Sequence, residues 1–404
     1  MKNLVIVNGR LVFPDRVVEN GAVVVRGDRI AACGALGEVE IPENAEIIDA
    51  GRHYVGPGFI DIHCHGGGGL WAFDHPLEAG LAHLAHGTTG YLPTPAYFQP
   101  RGHLLESVKT IADVMNGTSR YKHLILGIHL EGPFLNPKYG ALRSNIRPVD
   151  PDEYREILRA AGSCIRVWTL APEMPGQEQF LKEASAFPNI VFSAGHTETD
   201  PETLFRCIPY GLRLACHLTN ASGTTPSPSR FGGTREVGMD EAALLRDEIT
   251  VEVIPDYAGA HVRPLMLQLI LKTKGADRVI IITDAVNEAA NGPLAEPPAL
   301  AKLKDFPGCN DVNLTEDGEL NGSKLTMDRA VHNMMRHTGA DIVSAFRMAS
   351  LNPARLLKLD SLYGSIAPGK KANLVIVDEK INVQTVIFEG EQVVPAAANG
   401  GVGR

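Results

Sequence analysis

Residues 58–69 read GFIDIHCHGGGG: an apolar run that ends in two histidines one residue apart and then four glycines. Residues two apart on a strand point the same way, so His63 and His65 share a face while Cys64 takes the other. Two imidazoles on one face can grip a single cation. The glycines are expected to form an open loop, free of side chains, that tolerates positive φ and lets substrate come close. A lone His-x-His also occurs as ordinary packing, so the meaning of this stretch depends on what surrounds it.

Working outward, the same kind of short apolar run recurs at 88–94, 124–131, 165–173, 190–196, 212–217, 249–256 and 279–285. Amphipathic segments fall between them. HLLESVKTIADVM (103–115) and PDEYREILRAA (151–161) read as helices, the second with Asp150 as N-cap and Pro151 in the first helical position. Eight alternations of buried strand and helix predict an α/β fold of the parallel (β/α)8, TIM-like barrel kind. The two ends of the chain differ: 1–54 and the region after 355 are short strands with Asn-Gly and Gly-Asp turns, neither numerous enough for a core alone. They are expected to join into one small β-sandwich. The organisation read from the sequence is therefore 1–54 as its first part, 55–355 as the barrel, and 356–404 as its second part with a Gly-rich tail.

Several barrel runs end in residues that bind metal or move protons. His63 and His65 close the first, Glu131 the third, His196 the fifth and His217 the sixth, with Asp284 near the end of the eighth. In a barrel the C-terminal strand ends form one rim, so these distant residues should meet over one opening. Imidazole and carboxylate together suit a divalent ion: Zn2+ first, with Fe2+, Mn2+ or Ni2+ also accommodated, and one or two ions per subunit. Taken singly, each has an ordinary alternative: Glu131 as a loop ion pair, Asp284 as a helix cap, His129 as interior packing beside the ligands.

Composition narrows the partners. The 404 residues are 44% hydrophobic and carry a formal charge of -9, which disfavours non-specific attraction to nucleic acid or an anionic membrane. No window approaches the roughly 20 apolar residues of a membrane span, and the apolar run of MKNLVIVNGRLVF is too short for a secretory signal, so a soluble cytoplasmic protein with a small-molecule partner is expected. Cys33, Cys64, Cys164, Cys207, Cys216 and Cys309 follow no repeated spacing, which predicts reduced thiols.

The strand-end set resembles the amidohydrolase superfamily. HLEGPFLNPKYGA (129–141), SAGHTETD (193–200), HLTNA (217–221), LNGSKLTMDRAV (320–331) and MASLNPARLLKLDSLYGSIAPGKKANLVIVD (348–378) are similar, more narrowly, to the N-acetylglucosamine-6-phosphate deacetylase family. That resemblance implies Glu131, His196 and His217 as holders of the catalytic metal, Asp284 as acid/base, and His63 with His65 as partners of a second ion bridged through Glu131. It implies Asn220, Ala221 and Arg230 as phosphate contacts, His261 as a substrate contact, and Leu320, Asn321 and Gly322 as a loop over an N-acetylamino sugar, phosphorylated at C6. It also implies a homodimer, with Arg230 or His261 reaching into the neighbouring site.

Three departures surround this substrate set. The family carries a substrate-touching His after its EGPF segment, where this chain has Ala141, Leu142 and Arg143, which the resemblance implies as substrate-binding positions, with Arg143 beside Arg230 as a candidate partner of the anionic group; the family's HLFNAM becomes HLTNAS; and IPDYAGAH is two residues longer than the family's version. They leave room for another N-acyl amine as substrate. Dihydroorotases, hydantoinases and N-acyl-D-amino-acid deacylases are the nearest rivals, weakened because the fourth run, IRVWTLAPE, lacks the bridging lysine such ring-opening enzymes use. A non-catalytic metal-binding barrel is the rival of another class, and the complete ligand set with Asp284 speaks against it.

Overall fold

The computed structural model describes residues 3–223, 231–292 and 309–393. Eight parallel strands form the barrel: Phe59–Cys64, Thr88–Pro93, Ile128–Glu131, Ile165–Leu170, Val191–Ala194, Leu212–Ala215, Thr250–Val253 and Val279–Ile281. The third to eighth are hydrogen-bonded neighbours in chain order, and the first pairs with the second. Single bridges close the ring. Leu126 N donates to Tyr91 O (2.9 Å), joining the second strand to the third, and Asp284 N donates to His63 O (2.9 Å), joining the eighth to the first.

Helices follow the strands in turn, from Pro76–Leu84 after the first to Met327–Thr338 after the eighth. Because both faces of the barrel wall are covered, all six residues of Phe59–Cys64 are buried and the run shows no polar alternation. Helix Pro151–Ala161 shows how the sequence sets its own limits. Asp150 accepts from Asp152 N, Pro151 opens the first turn, and Gly162 ends it at φ 56°. Its Tyr154, Ile157, Leu158 and Ala161 recur on one face and are buried against the barrel. On the fourth strand Trp168 points outward, its ring 4.7 Å from that of Phe180, while its Nε1 donates to Gly132 O at 2.9 Å. Truncating such a side chain costs about 3–5 kcal/mol.

The two chain ends do join. Tyr54–Pro57 pairs antiparallel with Leu374–Val377 and parallel with Asn3–Val12. The sheet is one continuous hydrogen-bonded set of eight strands. Alternation decides its two faces: Leu4, Ile6, Val23 and Val25 enter one apolar cluster with Leu374 and Ile376, while Val5, Val7 and Val24 enter another. The SLNPA segment has a structural task at the base of the barrel. Ser350 Oγ donates to Gly58 O (3.1 Å) and Asn352 Nδ2 to Val279 O (2.7 Å), which ties together the starts of the first and eighth strands.

All six cysteines are free thiols. Among the described residues, no helix is long and apolar enough to cross a membrane.

Candidate metal centre and substrate cleft

The rim of the barrel collects the strand-end residues around Glu131. Its Oε1 lies 2.9 Å from His196 Nε2 and 3.3 Å from His217 Nε2, and those two nitrogens are 3.2 Å apart. On its other side, Oε2 is 3.4 Å from His65 Nε2, and Oε1 is 3.6 Å from His63 Nε2. Asp284 Oδ1 completes the ring at 3.1 Å from His65 and 3.5 Å from His63. Among the described residues, Glu131 with His196 and His217, Glu131 with His63 and His65, and, deeper in the barrel, His63 with His129 and Cys216 offer ligand atoms close enough to share an ion.

Hydrogen bonds behind the ring turn His217 and His65 inward, whereas His196 Nδ1 is buried without a partner. His217 Nδ1 faces Asn220 O at 2.9 Å, and His65 Nδ1 faces Thr94 O at 2.8 Å. A carbonyl can only accept, so Nδ1 carries the proton and Nε2 presents a lone pair to the centre. His63 Nε2 is buried with no hydrogen-bond partner of its own. A mixed nitrogen and oxygen donor set with an unpartnered buried imidazole suits a divalent cation.

His196, His217 and Asp284 do not sit inside their strands. They lie two or three residues past the strand ends with left-handed backbones, φ 48°, 25° and 49°. Such conformations cost of order 1–3 kcal/mol each and cluster at functional sites. Here they bend the chain across the mouth, so side chains from three strands reach one point.

Above the centre lies an open cleft. It is lined by His65, Glu131, His196, His217 and Asp284, by the aromatic Trp71, Tyr97 and Phe98, and by Asn220, Ala221 and the hairpin residues Leu320, Asn321 and Gly322.

The sequence profile of the Amidohydrolase family matches residues 54–393. The chain belongs to this family. It is 30% identical to the N-acetylglucosamine-6-phosphate deacetylase of Bacillus subtilis (strain 168), over 96% of each chain, which places it in that branch. It is equally 30% identical to the N-acetylgalactosamine-6-phosphate deacetylase of Escherichia coli O157:H7, over 89% of this chain and 93% of that one. Among solved structures, a variant of the Mycobacterium smegmatis N-acetyl-D-glucosamine-6-phosphate deacetylase in complex with N-acetyl-D-glucosamine-6-phosphate superposes with a TM-score of 0.82 at 27% identity, over 98% of this chain and all of that one.

In this amidohydrolase the electrostatics follow from burial opposed by close charge. Burial would raise the carboxyl of Glu131, but the imidazoles of His196, His217 and His63 outweigh it and hold the group well below the usual carboxylate range. Asp284 behaves alike: burial raises it, His65 and His63 more than offset this, and it lies near 2. Burial lowers His196, which keeps its ring neutral; for His217 the bond and charge of Glu131 outweigh burial and raise it.

The remaining sequence-derived residues divide. Ala141 lines the cleft, its N–H donating to the Tyr97 hydroxyl at 3.2 Å. Leu142 and Arg143 lie outside the cleft wall: Leu142 is 39% exposed, and Arg143 bonds to Gly140 O (2.5 Å) and faces Glu319 at 3.8 Å. His261 stands behind the wall, with Nδ1 3.0 Å from Asp256 and Nε2 3.2 Å from Gly322 O. Arg230 lies outside the described residues. His129 is fully engaged, Nδ1 with Ile62 O (2.7 Å) and Nε2 with Thr169 Oγ1 (2.8 Å), which makes it a packing residue beneath His63.

Two features of the amidohydrolase site differ from the sequence reading. The glycine run is a packed hairpin, not an open loop: Gly66 and Gly67 pair with Leu70 and Trp71. A Cβ on Gly66 would sit 2.5 Å from Leu70 O, and one on Gly67 would meet His83 at 2.5 Å. The aromatic wall went unread because Trp71, Tyr97 and Phe98 carry no motif; their place just after the first and second strand ends was the available signal.

Proposed function

We propose that this amidohydrolase removes the acetyl group from N-acetylglucosamine-6-phosphate, giving glucosamine-6-phosphate and acetate. The observation that carries the reading is the convergence of Glu131, His196, His217 and Asp284 at the floor of one cleft, in a chain similar along nearly its whole length to an enzyme named for that reaction. N-acetylgalactosamine-6-phosphate, the epimer at C4, is the second reading, because an equally identical relative bears that name.

Glu131, His196 and His217 would hold the catalytic ion, with zinc the first choice, and His63 with His65 and Glu131 a second. A divalent ion supplies Lewis acidity and lowers the pKa of water. The protein's own part is proton transfer and placement. Asp284 Oδ1 takes a proton from the water that attacks the acetyl carbonyl, and the C–O bond forms. It then delivers that proton to the sugar nitrogen as the C–N bond breaks. The depressed pKa of Asp284 keeps it ionised. Asn220 and Ala221 line the cleft and, with the guanidinium of Arg230, would receive the phosphate. Trp71, Tyr97 and Phe98 offer aromatic surface to the sugar.

The division of the chain near 54 and 356 and a cytoplasmic homodimer belong to the same proposal. Leu245, Leu265 and Leu269 support the dimer, being 68%, 78% and 49% exposed on two neighbouring helices. Sedimentation of purified protein tests it, a single monomer species counting against it. For the reaction, amine release is measured on N-acetylglucosamine-6-phosphate, its galacto epimer, the unphosphorylated sugars and N-acyl amino acids. Equal rates with and without the phosphate remove the phosphate-recognition role.

A further inference from the structure

Glu252 is a buried acid of the barrel interior that the proposed reaction does not use. It lies on the seventh strand, Thr250–Val253, between two valines, and is completely buried. A buried carboxyl group is costly unless its partners repay the lost hydration. Here Oε1 has no hydrogen-bond partner, and Oε2 is 3.4 Å from His63 Nδ1 and 3.3 Å from the backbone N of His217. Both contacts are at the long end of the hydrogen-bond range.

His63 is the complement of this acid. Its Nε2 is the buried, unpartnered nitrogen that faces Glu131 and Asp284, so the ring presents one nitrogen to the ligand cluster and the other to Glu252. Carboxylate, imidazole and cation in line is a recurrent arrangement: the acid fixes the tautomer and raises the basicity of the ligating nitrogen. Cys216 Sγ also approaches Nδ1, at 3.6 Å, but a thiol is a weak acceptor and competes poorly.

We infer that Glu252 is a positioning residue: it holds the Nδ1–H of His63 and thereby aims Nε2 at the ion site shared with His65 and Glu131. Through the backbone of His217 it also joins this site to its neighbour, without bonding to either imidazole of the His196–His217 pair. The inference rests on the metal dependence proposed above and adds a residue to it. It also explains why an acid stands on a strand whose other side chains are apolar or β-branched.

The test reads ion binding without substrate. Full-length wild type, Glu252→Leu, Glu252→Gln and Cys216→Ala are stripped with chelator and titrated with Zn2+ in equilibrium dialysis, with thermal unfolding followed in parallel. Wild type is expected to take two ions per chain. Glu252→Leu should hold one ion within about threefold of wild type and bind the other roughly 10–100-fold more weakly. Glu252→Gln, which keeps an acceptor, should fall between them, and Cys216→Ala should match wild type. The inference is overturned if wild type binds a single ion, if Glu252→Leu binds both ions as wild type does, if the two ions are lost together, or if Cys216→Ala alone weakens binding. A protein that binds ions in the expected pattern but releases no amine would sink the proposed reaction and leave this result standing. A single ion in wild type would do the reverse.

Discussion

His65 Nε2 lies 3.1 Å from Asp284 Oδ1, although the two come from the first and last strands of the barrel. The contact exists because Asp284 turns back through a left-handed backbone and its N–H closes the ring on His63 O. The same turn is packed from above, where a Cβ on Gly322 would come within 2.7 Å of Asp284 O. The proposed acid/base is therefore held by the closure of the barrel itself.

Replacing Asp284 by Asn keeps the shape and removes the proton acceptor. Amine release should fall roughly 10²–10⁴-fold, the range for a general acid–base group. Metal content should stay at the wild-type value, measured on the same preparation by elemental analysis. Loss of the ion in that variant would make Asp284 chiefly a ligand.

Acidification should strip the metal before it unfolds the protein. In the ion-free chain His217 titrates above its ordinary value near 6.5, since the bond and charge of Glu131 outweigh burial. A proton on Nε2 excludes an ion, so affinity should rise with pH through the neutral range until His217 is neutral. Stability of the ion-free chain runs the other way. A raised folded-state pKa contributes stability that is full below the unfolded value and lost as pH rises through the folded one. Zn2+ titrations and thermal melts of stripped protein across pH 6–9 check both slopes, and parallel slopes would contradict this assignment.

The glycine hairpin gives a paired stability test. Gly66→Ala places a methyl group 2.5 Å from backbone, where neither side can yield cheaply, and should cost about 1–3 kcal/mol. Gly102→Ala meets nothing within 4 Å in helix Arg101–Asn116 and should stabilise by about 0.5–1 kcal/mol. Denaturant midpoints of opposite sign are expected; the same sign for both would contradict the packing of the hairpin.

Tyr97→Phe keeps the ring beside His196, with centroids 4.8 Å apart, and removes the hydroxyl that accepts from Ala141 N–H. One lost neutral hydrogen bond is worth about 0.5–1.5 kcal/mol, so KM should rise roughly 2–10-fold through a loosened 140–142 segment. The value of kcat should change less than KM. A fall in kcat alone would give the hydroxyl a direct part in the chemistry.

The barrel was legible because its strands are buried on both faces and appear as apolar runs, and because Asp150, Pro151 and Gly162 mark helix limits in plain residue types. The convergence of His63, His65, Glu131, His196, His217 and Asp284 on one rim was legible for the same reason: each polar ending interrupts such a run. What escaped depends on contacts between distant segments. Nothing local says that Gly66 needs to be glycine, since Asn287 supplies the crowding together with Leu70. Nothing in TVEV singles out Glu252 until the fold puts His63 beside it. Leu142 and Arg143 were assigned by alignment with a motif, but their segment turns outward after Gly140, and sequence position does not report that turn.

The central claim is that the ion site at Glu131, His196 and His217 drives hydrolysis of the acetamide of a phosphorylated amino sugar. The most direct measurement follows amine release from N-acetylglucosamine-6-phosphate by one preparation, first metal-loaded, then stripped by chelator, then reloaded with Zn2+. Turnover should be present, lost on stripping and restored on reloading. Undiminished turnover in fully stripped protein would contradict the account.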